Sequence, residues 1–174
     1  EHIVSNGEPA LLVTWFTYLD GQQHWLVGVG PVSGNSARVP LTITRGGDFP
    51  PRFVPAAVTS ETWGELELRF DNRNGGRASW PTSHSGYSNG SMPIQRLTQP
   101  ASAFESTNAN IAACHAGSWY DPAQSGHGIF TEVLGSAPNR TLLAIWYTYL
   151  NGEQHWITAT GPIQGASVTL TASI

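Results

Sequence analysis

The stretch WFTYLDGQQHW, residues 15–25, returns 131 residues later as WYTYLNGEQHW, residues 146–156. Aligned without gaps, residues 11–43 match residues 142–174 at roughly half of the positions, which is typical of a repeated structural unit. The Trp, Thr, Tyr and His-Trp positions are kept while much of the sequence between them changes. We therefore expect two related units that share one backbone shape.

Both copies predict a β-hairpin, because β-branched and aromatic residues flank Asp20-Gly21 in the first and Asn151-Gly152 in the second. Similar runs, bounded by Gly, Pro and polar residues, predict strands at 37–44, 63–70, 76–82, 92–98, 117–122 and 128–134. No segment of helical length keeps a 3.6-residue apolar period. The sequence predicts an all-β protein with less than about 10% helix, either an antiparallel up-and-down barrel or a sandwich.

Composition excludes several classes of partner. Only 11% of the 174 residues are charged, the net charge is −4, and all eight basic residues are Arg. No basic track is present to neutralise phosphates, so we expect no nucleic-acid partner. No apolar run approaches the length of about 18 residues that spans a bilayer, so we expect no membrane insertion. The first residues also lack the basic start and apolar centre of a signal peptide.

Residues 99–116 are rich in Ala, Ser, Asn and Thr, the composition of a connector. We therefore predict a first unit at residues 1–98, a linker at 99–116 and a second unit at 117–174. Cys114 is the only cysteine, so it forms no disulfide framework and no thiolate metal site within this chain. We interpret it as a linker thiol or as one half of a disulfide whose partner lies outside this chain.

The segment GSWYDPAQSGHGIFTEVL, residues 117–134, precedes the second hairpin. Together they resemble a Trp-rich β repeat, WYDPxxSGxG…W[FY]TY…GxxxW, found in large secreted and surface-associated bacterial proteins of mostly unassigned function. The resemblance covers nearly the whole chain and implies β architecture and an extracellular or cell-surface location. It also implies that the first unit lacks an opening strand and that the second is truncated on its C-terminal side.

The repeated aromatics are the candidate binding residues. Trp and Tyr have flat apolar faces and a polar edge that suit sugar rings, although cross-strand aromatic pairs also fill the core of a sheet protein. Both interpretations apply to the same set, which is Trp15, Tyr18, His24 and Trp25 in the first unit and Trp146, Tyr149, His155 and Trp156 in the second.

Other chemistry has less support in the sequence. The histidines lack metal-ligand spacing, and Glu65 and Glu67 lie on the solvated face of an alternating strand. No Gly-x-Ser-x-Gly elbow and no phosphate-binding Gly-rich loop is present. We therefore expect no catalytic residues, no metal and no cofactor.

Three functional classes stay open, in this order. The first is a non-catalytic extracellular β module that binds a glycan or surface ligand through the repeated aromatics. The second is a structural or assembly subunit of an extracellular protein or filament, completed by β-strand addition from another copy or from further segments of a larger polypeptide. The third is an enzyme of unknown class, which would need a cleft with paired titratable groups.

Overall fold

A computed structural model describes residues 1–98, 111–124, 126–136 and 138–174. In these ranges the chain forms thirteen β-strands and three short 3-10 turns, with no α-helix, so the predicted all-β class is confirmed. The chain divides into two compact units. The first comprises residues 1–46 and 58–97, and the second comprises residues 47–57 and 98–174.

The first unit holds a seven-stranded antiparallel sheet whose strands follow chain order. They are β1 (His2–Ser5), β2 (Glu8–Leu19), β3 (Gln22–Ser33), β4 (Ser36–Arg45), β5 (Thr59–Asn72), β6 (Gly75–Trp80) and β7 (Gly90–Gln95). Asp20 and Gly21 between β2 and β3 have φ values of 51° and 77°, as the predicted hairpin turn requires. Asn6-Gly7 forms a further turn of this kind between β1 and β2.

The core of the first unit lies on one face of this sheet. Val39, Leu41 and Ile43 alternate with more exposed residues along β4, and they are almost completely buried together with Leu26 of β3. A register shift in the β4–β5 pairing makes Trp63 an extra residue, since Leu41 pairs with Gly64 and Thr42 with Thr62. This bulge turns the Trp63 ring into the same core.

The second unit holds a six-stranded antiparallel sheet in the order β12, β11, β10, β9, β8, with β13 also paired to β11. Its strands are β8 (Gly117–Trp119), β9 (Gly128–Ser136), β10 (Asn139–Leu150), β11 (Glu153–Gln164), β12 (Ser167–Val168) and β13 (Thr171–Ser173). Asn151 and Gly152 form the predicted turn, with φ values of 54° and 88°.

Equivalent strands of the two units pair in the same register. Thr17 faces His24 in the first hairpin, and Thr148 faces His155 in the second. The pairing with the following strand also agrees, because Val27 faces Thr42 as Thr158 faces Ser173, each 131 residues further on. Within the described residues, the first and last strands of each sheet do not pair with each other, so neither sheet closes into a barrel. Of the two predicted architectures, the open, sandwich-like one is therefore observed.

The two units differ from the predicted ranges in two places. Residues 47–57 lie between β4 and β5 in the chain but belong to the second unit. We call this segment the strap. Most of the predicted linker, residues 99–110, lies outside the described residues. Residues 111–116 include the 3-10 turn Ala113–His115 and belong to the second unit.

Candidate functional site

The strap is anchored on the turn of the β10–β11 hairpin. The carbonyl of Gly47 accepts a hydrogen bond from the Gly152 amide at 2.9 Å, and Asp48 Oδ1 accepts one from the Asn151 amide at 3.3 Å. Asp48 also pairs with Arg52 at 2.9 Å within the strap. The hydrogen bond from Arg52 is the main cause that lowers the pKa of Asp48, and the amides of Phe49 and Asn151 add to it. The carboxylate is therefore charged at neutral pH.

Two aromatic rings of the strap cover one end of the second sheet. The Phe49 ring lies 4.9 Å from the Trp146 ring, measured between centroids. Phe53 meets the His127 ring edge-on at 4.1 Å and stacks at 6.2 Å on Tyr149. These contacts hold Pro50, between the two rings in the chain, at the edge of a cavity.

His127 is buried between these rings and is held on one side. Its Nδ1 lies 2.7 Å from the hydroxyl oxygen of Thr148, while its buried Nε2 has no partner in hydrogen-bonding geometry. Burial lowers the pKa of His127, and a backbone interaction with Asp48 partly opposes that shift. The ring is therefore neutral at pH 7.

A cavity of about 310 Å³ lies beside His127, and we call it the aromatic cavity. Three aromatic side chains line it together with Pro50, Gly128, Ile129 and the polar residues Asp121, Gln124 and His127. The aromatic members are Trp119, Tyr120 and Trp146. Trp119 is 51% exposed and Tyr120 is 65% exposed, so their rings are open to solvent. The cavity combines accessible aromatic faces with hydrogen-bonding groups.

Local hydrogen bonds fix the Trp119 ring and the turn that follows it. Trp119 Nε1 donates to Thr131 Oγ1 at 3.0 Å, and that hydroxyl donates to the His115 carbonyl at 2.6 Å. Asp121 Oδ1 accepts from the Ala123 amide at 2.9 Å, and Asp121 Oδ2 accepts from Gln124 Nε2 at 3.3 Å. The Asp-Pro sequence thus builds a capped 3-10 turn over residues 122–124.

A second cavity, of about 260 Å³, adjoins the first, and we call it the adjoining cavity. Its lining residues are Ile111, His115, Trp119, Ile129, Thr131 and Leu142. Trp119 and Ile129 line both cavities. The two cavities therefore form neighbouring sections of one surface of the second unit, with Trp119 at their junction.

In the first unit, three of the four predicted binding residues are packed inside. Trp25 is 2% exposed, and His24 is buried with its ring edge-on to Tyr87 at 6.2 Å. Trp15 is half-buried and meets the rings of Trp63 and Trp80 at 5.5 and 5.0 Å. The Trp15 ring packs against the core of the first unit, whereas Trp25 is buried on the opposite face of the sheet. Only Tyr18, 58% exposed, presents its ring to solvent.

In the second unit, one of the four predicted residues, Trp146, lines the aromatic cavity. Tyr149 is completely buried under the strap, against Phe53. His155 and Trp156 are half-buried and line neither of the two cavities. The structure therefore does not bring the eight predicted residues together in one site.

Sequence reasoning missed most of the cavity. Of the nine lining residues only Trp146 was predicted, and six of the others lie in the segment WYDPAQSGHG, namely Trp119, Tyr120, Asp121, Gln124, His127 and Gly128. That segment carried the family resemblance, and its adjacent aromatic residues followed by polar ones were the available signal. Cys114 is free and exposed, with Sγ 3.5 Å from His115 Nδ1.

No protein-family model, no curated protein and no solved structure gives a significant match to this chain. Within the described ranges, no three His, Cys, Asp or Glu side chains are grouped to hold a metal ion. The same ranges contain no helix with the length and apolar character needed to cross a membrane.

Proposed function

We propose that this protein is a non-catalytic extracellular β module that binds a glycan at the aromatic cavity of its second unit. One observation carries the proposal: the exposed rings of Trp119 and Tyr120 adjoin Asp121, Gln124 and His127 around a cavity of about 310 Å³. Its size falls within the range of small-ligand sites, which is about 300–1,000 Å³.

A sugar ring has the chemistry that these groups match. Its C–H faces stack on flat aromatic rings, and its hydroxyls both donate and accept hydrogen bonds. His127 lines the cavity with a neutral ring, so it adds a polar group to the lining without adding a charge. Asp121 and Gln124 are the other polar residues of the lining.

The adjoining cavity favours an oligosaccharide over a single sugar. Trp119 and Ile129 are common to both cavities, so a linear ligand can occupy both while it contacts the Trp119 ring. His115 and Thr131 are the polar residues that line the second section. We expect affinity to rise as the ligand grows long enough to fill both cavities.

The cavity supports binding better than catalysis. Among its described lining residues Asp121 is the only carboxylate, and both of its oxygens accept hydrogen bonds that build the 122–124 turn. Glycoside hydrolysis uses a pair of carboxylates, one on each side of the scissile bond. His127 Nδ1 contacts a threonine hydroxyl rather than a carboxylate, so it lacks the usual partner of a general base.

The cellular setting is part of the same proposal. The resemblance to Trp-rich repeats of secreted bacterial proteins supports an extracellular or cell-surface location. The matching strand registers, 131 residues apart, support the interpretation of the two units as copies of one repeat. The proposed glycan site belongs to the second copy only.

A glycan array with the whole chain and three variants tests the proposal. Trp119→Ala and Tyr120→Ala should each lose most of the bound signal, because each removes an exposed ring at the cavity. Tyr18→Ala is the matched control, since Tyr18 has similar exposure but lies in the first unit. Equal losses in Tyr18→Ala and Tyr120→Ala, or no binding to any glycan, would count against the proposal.

Assembly is the second candidate, and the edge of the second sheet favours it. All three residues of β13 are exposed, and its outer edge pairs with no strand in the part of the chain that the structure describes. Such an edge can accept another strand from a second copy or from a longer polypeptide. Sedimentation of the 174-residue chain should then show association with rising concentration that Ala172→Lys reduces. A monomer at every concentration would exclude self-assembly of this chain.

A further inference from the structure

The basic residues of this acidic protein are concentrated in the first unit. Six of the eight arginines belong to it, although the whole chain carries a net charge of −4. Arg38 pairs with Glu67 at 3.8 Å. Arg73 and Arg96 form no ion pair with any described residue. Two guanidinium groups near the β5–β6 turn are therefore available to an anion.

Backbone contacts hold Arg96 over that turn. Its Nε donates to the Arg73 carbonyl at 3.0 Å, and its amide donates to the Asn74 carbonyl at 2.8 Å. The Asn74 amide in turn donates to Asn72 Oδ1 at 2.9 Å. These bonds use one nitrogen of the Arg96 guanidinium and leave its two terminal nitrogens for other partners.

A cavity of about 200 Å³ opens at this place, and we call it the arginine cavity. Both guanidinium-bearing residues line it, with Asn74 and Gln95 as neutral polar neighbours. Phe70, which is 40% exposed, and Ile94 supply apolar lining. The lining therefore suits a ligand that combines an anionic group, which would bind the arginines, with a flat apolar face, which would pack on Phe70.

Arg69 and Arg77 are directly opposite each other on β5 and β6, and both are exposed. They project from the face of the sheet opposite to that of Phe70 and Ile94, because successive side chains of a strand alternate between its two faces. Their charges therefore lie outside the arginine cavity. Arg77 Nη1 reaches Ser91 on the next strand at 3.3 Å.

We infer that the arginine cavity binds a carboxylate-bearing sugar of an acidic polysaccharide. The planar guanidinium fork matches a carboxylate bidentately, and Phe70 offers a ring on which a sugar face can stack. The cavity is smaller than the range of about 300–1,000 Å³ typical of whole small-molecule ligands, so one sugar unit of a polymer fits it better. This site lies in the first unit and does not depend on the aromatic cavity.

Titration of the whole chain with oligogalacturonate tests this inference, and the methyl ester of the same oligosaccharide is the neutral comparison. We expect the acid form to bind, and the ester to bind at least about tenfold more weakly, since charged hydrogen bonds are lost. Arg73→Gln should weaken binding of the acid by a similar factor. It is the most informative variant, because no hydrogen bond or ion pair of the described structure uses the Arg73 side chain.

Arg69→Gln removes the same charge from the same unit outside the cavity, and it should weaken binding by less than about threefold. Equal effects of Arg69→Gln and Arg73→Gln would overturn the inference, because they would indicate diffuse attraction. Equal binding of acid and ester, or tighter binding of duplex DNA of equal charge, would overturn it too. Trp119→Ala should leave this binding unchanged, which separates the result from any failure of the glycan site in the second unit.

Discussion

Replacing Gly47 with alanine should loosen the strap and destabilise the second unit. An added Cβ would lie 2.6 Å from Cγ and 2.9 Å from Cε2 of the Tyr149 ring, and closer still to Cδ2. The ring cannot easily move away, because Tyr149 is completely buried and Phe53 stacks on it. The strap must move instead, which strains the hydrogen bond between the Gly47 carbonyl and the Gly152 amide.

We expect Gly47→Ala to lower the free energy of unfolding by about 1–3 kcal/mol, which is the usual effect of adding a methyl group to a well-packed core. Native-state hydrogen exchange measured by mass spectrometry can locate this loss of stability in particular strands. If β10 and β11 open together, their amide protection should fall roughly 5- to 150-fold, the factor that corresponds to this free energy. Peptides from β10 and β11 should show the largest change.

Gly75→Ala is the matched control, because its added Cβ would have no atom closer than 3.5 Å and the position belongs to the first unit. It should leave exchange in β10 and β11 unchanged. Unchanged protection of β10 and β11 in Gly47→Ala would show that the strap does not rest on Tyr149.

Three further predictions concern stability. Lowering the pH below about 6.5 should lower the free energy of unfolding, because burial lowers the pKa of His127 and the unfolded chain then takes up a proton that the folded chain does not. Chemical denaturation at pH 7.5 and 5.5 measures this loss of stability, which should be smaller in His127→Gln. Equal losses in the two proteins would show that His127 is not its cause. Thr148→Val should cost about 1–3 kcal/mol at pH 7.5 by leaving His127 Nδ1 without its partner, whereas Thr148→Ser should cost less. Trp63→Ala should cost about 3–5 kcal/mol in thermal denaturation, because its buried ring contacts Trp15 and Tyr87; a loss below about 1 kcal/mol would exclude a core role.

Local chemistry explains what the sequence could predict. Asp20-Gly21 and Asn151-Gly152 adopt positive φ values because Asp, Asn and Gly tolerate them, and a two-residue hairpin turn needs them. Alternating apolar residues such as Leu66 and Leu68 likewise predict a strand from nearest neighbours alone. The all-β class rests on many such local signals, so it could be predicted.

The position of the strap could not be predicted, because it depends on contacts between residues that are far apart in the sequence. Asp48 and Asn151 are 103 residues apart in the chain, yet they share a hydrogen bond. Such long-range contacts also give equivalent residues of the two units different solvent exposure. Tyr18 is 58% exposed, whereas its counterpart Tyr149 is fully buried, because Phe53 of the strap covers the second. The repeat alone therefore could not tell a binding ring from a packed one.

The candidate site could not be predicted either, because the sequence does not show which tryptophans are exposed. Trp119 is the last residue of the short strand β8 and is exposed, while Trp25, inside the longer strand β3, is buried. Both look like strand tryptophans in the sequence. Only the position of β8 at the edge of its sheet distinguishes the exposed ring from the buried one.

The most direct test of glycan binding is the indole N–H spectrum of the ¹⁵N-tryptophan-labelled protein, titrated with the glycan that binds best on the array. We expect the Trp119 and Trp146 signals to move together and to saturate, because both residues line the aromatic cavity. The signals of Trp25 and Trp63, which are buried in the first unit, should stay in place. Saturable binding that leaves Trp119 and Trp146 unmoved would contradict the proposed site.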